Sequence, residues 1–206
     1  ATTVQHAVSL AASYINDAQL WLQQGTYNLT ASLNVDDVQF YGGFQGTETS
    51  IGERDWAANP TILDGGDKVS PLRSSNLTKK TTTVIDGLTI QHALNQTGAN
   101  GNGNGGGALL MNGTVVRNCI FRDNRTQNTK NGAAIHCQSG RVTIQNTLFT
   151  HNVSTGNGGA VQIGGDTTAD IINCTFCDNQ ASNPGGALGT GNNTSNVNLY
   201  NTVAYN

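Results

Sequence analysis

The sequence predicts an all-β chain folded as a right-handed parallel β-helix, with three strands in each coil of about 27 residues and a short N-terminal capping helix. Two observations predict this fold. Two short patterns alternate along the second half of the chain, and apolar residues recur at every second position around them. A repeat of this length indicates stacked units, each of which buries its apolar face only against its neighbours.

The first pattern is glycine-rich, Gly-(Gly/Ala)-Ala-(Leu/Ile/Val), and it begins at Gly106, Gly132, Gly158 and Gly185. Successive copies are 26, 26 and 27 residues apart. A strand with alternating apolar residues starts at each copy. We place Leu109, Ile135 and Val161 on the inner face of that strand.

The second pattern is Asn-x-x-Phe-x-x-Asn, and its copies begin at Asn118, Asn146, Asn173 and, where the pattern is incomplete, Asn201. The apolar alternation changes phase at this first Asn, which indicates a corner between two short strands. We expect the corner side chains to be buried and to stack as a ladder, because a buried polar group needs a hydrogen-bond partner. Phe121, Phe149 and Phe176 are expected to stack in one core column.

One helix and several strands are predicted before the repeats. The helix covers residues 3–12, where apolar residues recur at helical spacing and Thr3 is placed to cap the first turn. It would cover the open end of the solenoid. Strands are expected at 19–22, 25–29, 38–44 and 83–90, the last with Gly87 in the place of the corner Asn.

These elements predict one domain over residues 1–206. Residues 1–40 form the cap and the first strands, residues 41–80 an irregular coil, and residues 81–206 the regular coils. The chain begins at Ala1 without a Met or a basic and apolar leader, so we interpret it as a segment of a longer chain.

Composition excludes some classes of partner. Charged residues make up 11% of the chain and the formal net charge is −3, which gives no basic surface for nucleic acid. No apolar run is long enough to span a membrane. The four cysteines are interpreted as free thiols: Cys119 and Cys174 lie two coils apart, about 9.6 Å, and Cys177 faces the opposite way.

Two segments resemble known surface proteins. The run from Tyr41 to Ser50, followed by Arg54-Asp55-Trp56 and the segment 59–65, resembles the opening of large bacterial surface proteins with right-handed parallel β-helix repeats. The two repeated patterns are similar to those of the chlamydial polymorphic outer-membrane protein family, although Ala133 replaces the second Gly in one copy. The resemblance implies a pectate-lyase-like fold and an adhesin-type passenger domain.

The outer face of the glycine-rich strand is the expected binding surface. Its outward positions are predicted to be Ala108, Leu110, Ala134, His136, Ala160, Gln162 and Ala187. None is a carboxylate, and a calcium site usually includes carboxylates, so this face is a poor candidate for the site of a calcium-dependent lyase. We interpret it as a flat, uncharged contact surface and expect no metal or cofactor.

Titratable residues recur five residues after each corner position. This column contains His92, Asp123, His151, Asp178 and Asn206. If the chain is an enzyme, the first four are the candidate catalytic residues, because alternating His and Asp about 4.8 Å apart suit acid–base chemistry. The simpler interpretation is polar turn residues that solvate a corner.

The sequence therefore predicts a non-enzymatic extracellular or cell-surface domain. Its expected partners are a glycan, a cell-surface protein, or like subunits joined end to end. The alternative is a polysaccharide lyase or glycoside hydrolase on the same scaffold. Converging titratable groups in a groove would distinguish the second function from the first.

Overall fold

The computed structural model describes residues 3–14, 17–74, 81–95, 105–191 and 194–205. In these residues the chain is a parallel β-solenoid of about five turns with one short α-helix at its N-terminal end. All strands within its sheets pair in parallel. The predicted fold class is confirmed.

The helix α1 (Val4–Tyr14) covers the first coil. Its first turn is capped as predicted, because the backbone N–H of His6 donates to Thr3 Oγ1 at 3.2 Å. Val4 and Val8 belong to the solenoid core, and Ala11 packs against it. The apolar side of α1 thus closes one end of the core.

Two long sheets form two sides of the solenoid, with the strands numbered in chain order. Sheet A contains β1 (Ala18–Gln23), β4 (Val38–Phe44), β7 (Thr83–Asp86), β11 (Thr114–Arg117), β15 (Gly140–Gln145), β19 (Thr167–Ile172) and β23 (Asn196–Tyr200). Sheet B contains β2 (Gly25–Asn28), β5 (Thr61–Asp64), β8 (Leu88–Gln91), β12 (Ile120–Arg122), β16 (Leu148–Thr150), β20 (Thr175–Cys177) and β24 (Val203–Tyr205).

Two further sheets complete the coil. Sheet C contains β3 (Leu33–Asn34), β6 (Leu72–Arg73), β10 (Ala108–Leu110), β14 (Ile135–Cys137), β18 (Val161–Ile163) and β22 (Leu188–Thr190). Sheet D contains β9 (Leu94–Asn95), β13 (Arg125–Thr126), β17 (Val153–Ser154) and β21 (Gln180–Ala181). Regular coils therefore have a fourth strand beyond the predicted three, and its two residues are too few to produce a periodicity.

The chain turns from sheet A to sheet B through residues with positive φ. Asn118, Asn146, Asn173 and Asn201 have φ between 44° and 53°, a region in which Asn is tolerated better than most residues. Asn146 and Asn173 each donate to the preceding Asn at 3.3 Å, so a ladder exists. It is not buried: Asn118 is half-buried and the other three are exposed. The prediction of a buried ladder at this corner is wrong.

The buried ladder is formed by the second Asn of the same pattern, at the corner from sheet B to sheet D. Asn124, Asn152 and Asn179 are 0%, 0% and 1% exposed. The Asn152 amide donates to Phe121 O at 2.9 Å and to Asn179 Oδ1 at 2.9 Å. Asn152 Oδ1 accepts the Asn124 side chain at 3.0 Å. Asn152 therefore joins three successive coils, and both its amide nitrogen and its amide oxygen have partners.

The aromatic column is confirmed. Phe121 and Phe149 stack at a centroid distance of 5.4 Å, and Phe149 and Phe176 at 4.7 Å. The predicted free thiols are also confirmed: Cys119, Cys137 and Cys174 are buried and Cys177 is half-buried, all without disulfides. Both results follow from the register, which places identical positions of successive coils above one another.

Candidate functional site

Sheet C departs from the predicted register in its first regular coil. Ala108 pairs with Ile135, and Leu109 pairs with His136. The repeat is therefore aligned on Gly105, Gly132, Gly158 and Gly185, which all have positive φ. The leading glycine forms a turn that only glycine adopts without strain, and the strand begins three residues later. Ala108 and Leu110 consequently face the core, whereas Leu109 takes the outer position.

The predicted contact face is largely absent from the surface. Ala108, Leu110, Ala134 and Ala160 are each 0% exposed and belong to the hydrophobic core, and Ala187 is half-buried against it. The expectation that these five residues point outward is wrong. Ala134, Ala160 and Ala187 directly precede their strands, at a turn where the chain directs Cβ inward. Ala108 and Leu110 lie on β10 and face the core because the register is shifted by one residue.

His136 and Gln162 do occupy the outer column of sheet C, side by side on β14 and β18. They are nevertheless 5% and 1% exposed. The His136 ring lies against Gly164, where a Cβ would be 3.2 Å from the ring Cε1, and the Gln162 amide lies against Gly189 and Gly191. Each side chain thus rests on a glycine of the next coil.

This packing leaves two polar atoms without a partner, His136 Nδ1 and Gln162 Oε1. Burial lowers the pKa of His136 to about 4, so its ring is neutral at physiological pH. A binding partner can contact only exposed atoms. Because His136 and Gln162 are buried, the outer face of sheet C presents few polar groups to a partner in this conformation.

The predicted His/Asp column does lie at one corner. His92, Asp123, His151 and Asp178 occupy the turn after successive strands of sheet B, all with φ between 47° and 55°. His151 and Asp178 approach each other, with Nε2 to Oδ2 at 3.9 Å. His92 instead bonds Asp64 Oδ2 through Nδ1 at 3.0 Å. The fifth member, Asn206, lies outside the described residues.

The partners of the column are residues adjacent in the chain or on the neighbouring coil. Burial would raise the pKa of Asp64, but hydrogen bonds, led by that from Gln91, lower it below its ordinary value. His151 Nδ1 lies 2.7 Å from the hydroxyl of the adjacent Thr150. The described residues contain no group of three His, Cys, Asp or Glu side chains that could hold a metal ion. The column is thus a series of local contacts.

A thiol that the sequence analysis did not associate with this column lies beside it. Cys177 Sγ donates to Asp178 Oδ2 at 2.9 Å. This hydrogen bond to a carboxylate raises the pKa of the Cys177 thiol, which keeps it protonated. A protonated thiol is a poor nucleophile.

A second cluster, which sequence reasoning missed, surrounds Arg54. Its guanidinium bonds Asp86 Oδ2 through Nη2 at 2.7 Å and Gly42 O through Nη1 at 3.0 Å. The rings of Tyr41 and Trp56 lie on it, with centroids 5.3 and 5.1 Å from Cζ. The Arg54 side chain is 6% exposed. Arg54 therefore fixes the irregular segment after β4 onto the outer side of sheet A.

Two more aromatic rings adjoin this cluster. Trp21 and Phe44 stack at a centroid distance of 4.8 Å and an interplanar angle of 9°. Trp21 is 39% exposed and Trp56 43% exposed. Composition alone could have indicated this cluster. Aromatic residues make up 6% of the chain, and both of its tryptophans lie before residue 60. We call Trp21, Tyr41, Phe44 and Trp56 with Arg54 the aromatic platform.

Comparison with known proteins identifies the repeats. Residues 146–164 and 173–191 match the Chlamydia polymorphic membrane protein repeat. No curated protein and no solved structure matches the chain. The matched repeats point to an association with the outer membrane or cell surface. Across the described ranges no helix has the length and apolar character needed to cross a bilayer.

Proposed function

Because the chain is a β-helix repeat protein of the polymorphic membrane protein type, we propose that it is a non-enzymatic, adhesin-like module presented at a cell surface. The observation that carries this proposal is the repeat match on two consecutive coils. The matched residues include β16 to β18 in one coil and β20 to β22 in the next. A function shared with other proteins of this repeat type would use the sides of such a solenoid.

The geometry of the solenoid supports binding along its sides. Long sheets of parallel strands stack coil upon coil, which produces extended lateral surfaces with regularly spaced side chains. The partner proposed for these surfaces is a glycan or a cell-surface protein, with like subunits as a third class. Sheets A and B would take the role that the sequence analysis gave to sheet C.

The environment of the His/Asp column also favours binding over catalysis. Its members have the positive φ of corner residues, and their nearest partners include neighbours in the same turn, such as Thr150 for His151. General acid–base catalysis needs a titratable group held within hydrogen-bond reach of the reacting atom. The closest His/Asp approach in the column is 3.9 Å, at exposed side chains.

One experiment compares the two functions directly. The parent protein and the double variant Asp123→Asn/His151→Gln are incubated with pectate, xylan, cellulose and chitin, and released sugar is measured. We expect no release above a buffer blank from either protein. Cleavage by the parent that the double variant loses, with an unchanged melting temperature, would establish the lyase or hydrolase alternative.

A second experiment tests binding itself. Fluorescently labelled protein is added to epithelial cells before and after treatment with glycosidases or with protease. Saturable retention is expected, and the treatment that removes it assigns the partner to glycan or protein. Sedimentation velocity across a dilution series measures self-association separately. Absence of retention on untreated cells contradicts the adhesin proposal.

A further inference from the structure

The aromatic platform is a continuous feature of the outer surface of the first coils. Trp21 and Tyr41 are paired residues on the adjacent strands β1 and β4. Phe44 ends β4 and stacks on Trp21. Trp56 follows β4 in the chain and folds back, so that a Cβ on Gly43 would lie 2.7 Å from the Trp56 Cα. The two tryptophans thus flank the end of one strand.

Each tryptophan of the platform is held by a planar group. The Trp21 ring stacks on Phe44, and the Trp56 ring lies on the Arg54 guanidinium. Arg54 is itself fixed by Asp86, which is 0% exposed and also bonds Arg117 at 2.7 Å. Because both rings are already held in place, the tryptophan side chains would lose little conformational entropy when a ligand stacks on them. Both indoles retain large exposed areas.

The exposed indoles are distinctive among the described residues. The other large hydrophobic side chains with comparable exposure are Leu10 on α1, the aliphatic Ile120 and Val153, and four residues of the last described coil, Leu199, Tyr200, Val203 and Tyr205. Outside that coil, the exposed aromatic surface of the described chain is therefore concentrated at Trp21 and Trp56. An aromatic surface gathered at one place indicates a binding site rather than scattered surface apolarity.

The size of the exposed area favours a sugar over a protein. With about 40% of a side chain of roughly 250 Å² exposed, each indole offers about 100 Å². A stable protein interface buries about 800 Å² on each partner. The exposed parts of the two indoles are far smaller than that, but each is large enough to accept the C–H face of one pyranose ring. C–H groups carry partial positive charge and are attracted to the negative face of an aromatic ring.

Charge and hydrogen bonding at the platform favour a neutral sugar. The Asp86 carboxylate is already matched by Arg54, Arg117 and the Asn118 amide. Amide groups lie at the rim, because Gln19 Oε1 accepts the Trp21 indole N–H at 3.3 Å and Gln39 Oε1 accepts the Tyr41 hydroxyl at 2.7 Å. Amides both donate to and accept from sugar hydroxyls.

We infer that the aromatic platform binds a neutral oligosaccharide, with pyranose rings stacked on Trp21 and Trp56. This inference rests on the proposed binding function and names its ligand class and its site. It assigns ligand recognition to the irregular first coils.

The sequence provides a direct assay, because Trp21 and Trp56 are the two tryptophans of the chain. Indole fluorescence therefore reports on this site alone. The protein is titrated with cellohexaose, mannohexaose, chitohexaose and lacto-N-neotetraose, and with polygalacturonate as a charged probe. We expect a saturable change in tryptophan emission with at least one neutral probe. No change with any neutral probe, or a change with polygalacturonate alone, overturns the inference.

Variants locate the binding on the platform. Trp56→Ala and Trp21→Ala are each expected to weaken affinity for the responding probe about tenfold or more, measured by calorimetry, since each removes one stacking face. Tyr200→Ala, which removes an exposed aromatic ring far along the chain, is the matched control and should bind like the parent. Equal affinity of all three variants overturns the inference.

Folding and function are separated by two further measurements. Circular dichroism melts show whether a variant has lost structure. If Trp56→Ala has, then Trp56→Tyr, which keeps a ring, should restore at least half of the affinity that Trp56→Ala loses. On cells, retention of a folded Trp21→Ala/Trp56→Ala variant at the parent level would contradict the platform and leave the adhesin proposal standing. Failure of the parent itself to bind cells would contradict the adhesin proposal.

Discussion

In the regular coils, residues 105–191, the main aromatic and amide groups of the core recur on successive coils, whereas the main polar cluster of the first coils, residues 17–74, occurs once among the described residues. Phe121, Phe149 and Phe176 form a column, as do the buried Asn124, Asn152 and Asn179. Arg54 instead joins Asp86 to the rings of Tyr41 and Trp56 in a single cluster. Repetition suits stacking, while a unique cluster suits recognition.

The two regions also differ on their outer surfaces. The outer positions of sheet A are aromatic on the first coils, as at Trp21 and Tyr41, and become polar or charged at Asp86 and Arg117 on the following strands. Beyond Arg117 the same column continues with Gln145, Ile172 and Tyr200, so the core columns of the regular region repeat while its outer positions change from coil to coil. The first coils are distinguished instead by two exposed indoles, each supported by a planar group.

The largest expected effect lies in the aromatic column. Phe149→Ala should lower the free energy of unfolding by about 3–5 kcal/mol, because Phe149 is 0% exposed and stacks on a ring at each side. Urea denaturation followed by circular dichroism measures the change. Ile120→Ala, at a 38% exposed position of sheet B, is the control and should cost about 1 kcal/mol or less. Equal losses would mean that the column is not the core of the regular coils.

The unique cluster provides the corresponding test in the first coils. Arg54→Met should cost about 2–3 kcal/mol. This loss of stability is smaller than that expected when a buried carboxylate loses all its partners, because Asp86 still accepts hydrogen bonds from Arg117 and Asn118. Arg117→Met removes the other arginine, whose side chain is 42% exposed, and should cost less than about 1 kcal/mol. Denaturation midpoints in the reverse order would show that Arg54 is not the group that fixes the irregular segment.

The two Asn ladders differ in burial and in backbone conformation, since the exposed ladder has positive φ and the buried one does not, and one substitution in each compares their contributions. Asn152→Ala should cost about 2 kcal/mol, because it leaves the buried Asn124 and Asn179 amides without one partner each. Asn146→Gly removes the exposed ladder but keeps a residue suited to its φ of 48°, and should change stability by no more than about 0.5 kcal/mol. Similar costs from thermal melts would contradict the assignment of the buried ladder.

The sequence predicted correctly which residues stack on successive coils, but not which side chains point into the core and which point outward. The Phe column follows from spacing alone, because equal positions of successive coils must stack. Spacing does not distinguish Asn118 from Asn124, since both recur with the same period. Their burial depends on which corner turns its side chain inward, and the backbone conformation of the corner decides this.

The sheet C face shows the same limitation in the glycine-rich turns. Three consecutive glycines, Gly105 to Gly107, allow two alignments of the repeat, and the alternation of apolar residues does not choose between them. The hydrogen bond from Gly105 N–H to Asn131 O fixes the alignment. Contacts such as Arg54 to Asp86, 32 residues apart and unrepeated, produce no periodic signal at all.

The smallest expected effect comes from pH and again concerns a regular coil. His136 is buried neutral, with its pKa lowered to about 4 from an ordinary value near 6.5. The unfolded chain therefore takes up a proton at a higher pH than the folded chain. The contribution of neutral His136 to the free energy of unfolding is fully present above about pH 6.5 and is lost as the pH falls towards 4. Between about pH 7 and pH 5 we expect a loss of about 1–2 kcal/mol from this residue.

His136→Gln separates this contribution from that of the carboxylates. Glutamine does not titrate, and Gln162 already occupies the neighbouring position of the same column beside glycines of the next coil. The variant should therefore fold and lose most of the dependence of the urea midpoint on pH above 5. Below that range Asp64, whose pKa is lowered, also reduces stability in both proteins. An identical slope in parent and variant between pH 7 and 5 would mean that the His136 ring is hydrated, and hence that the outer face of sheet C is open enough to admit a partner.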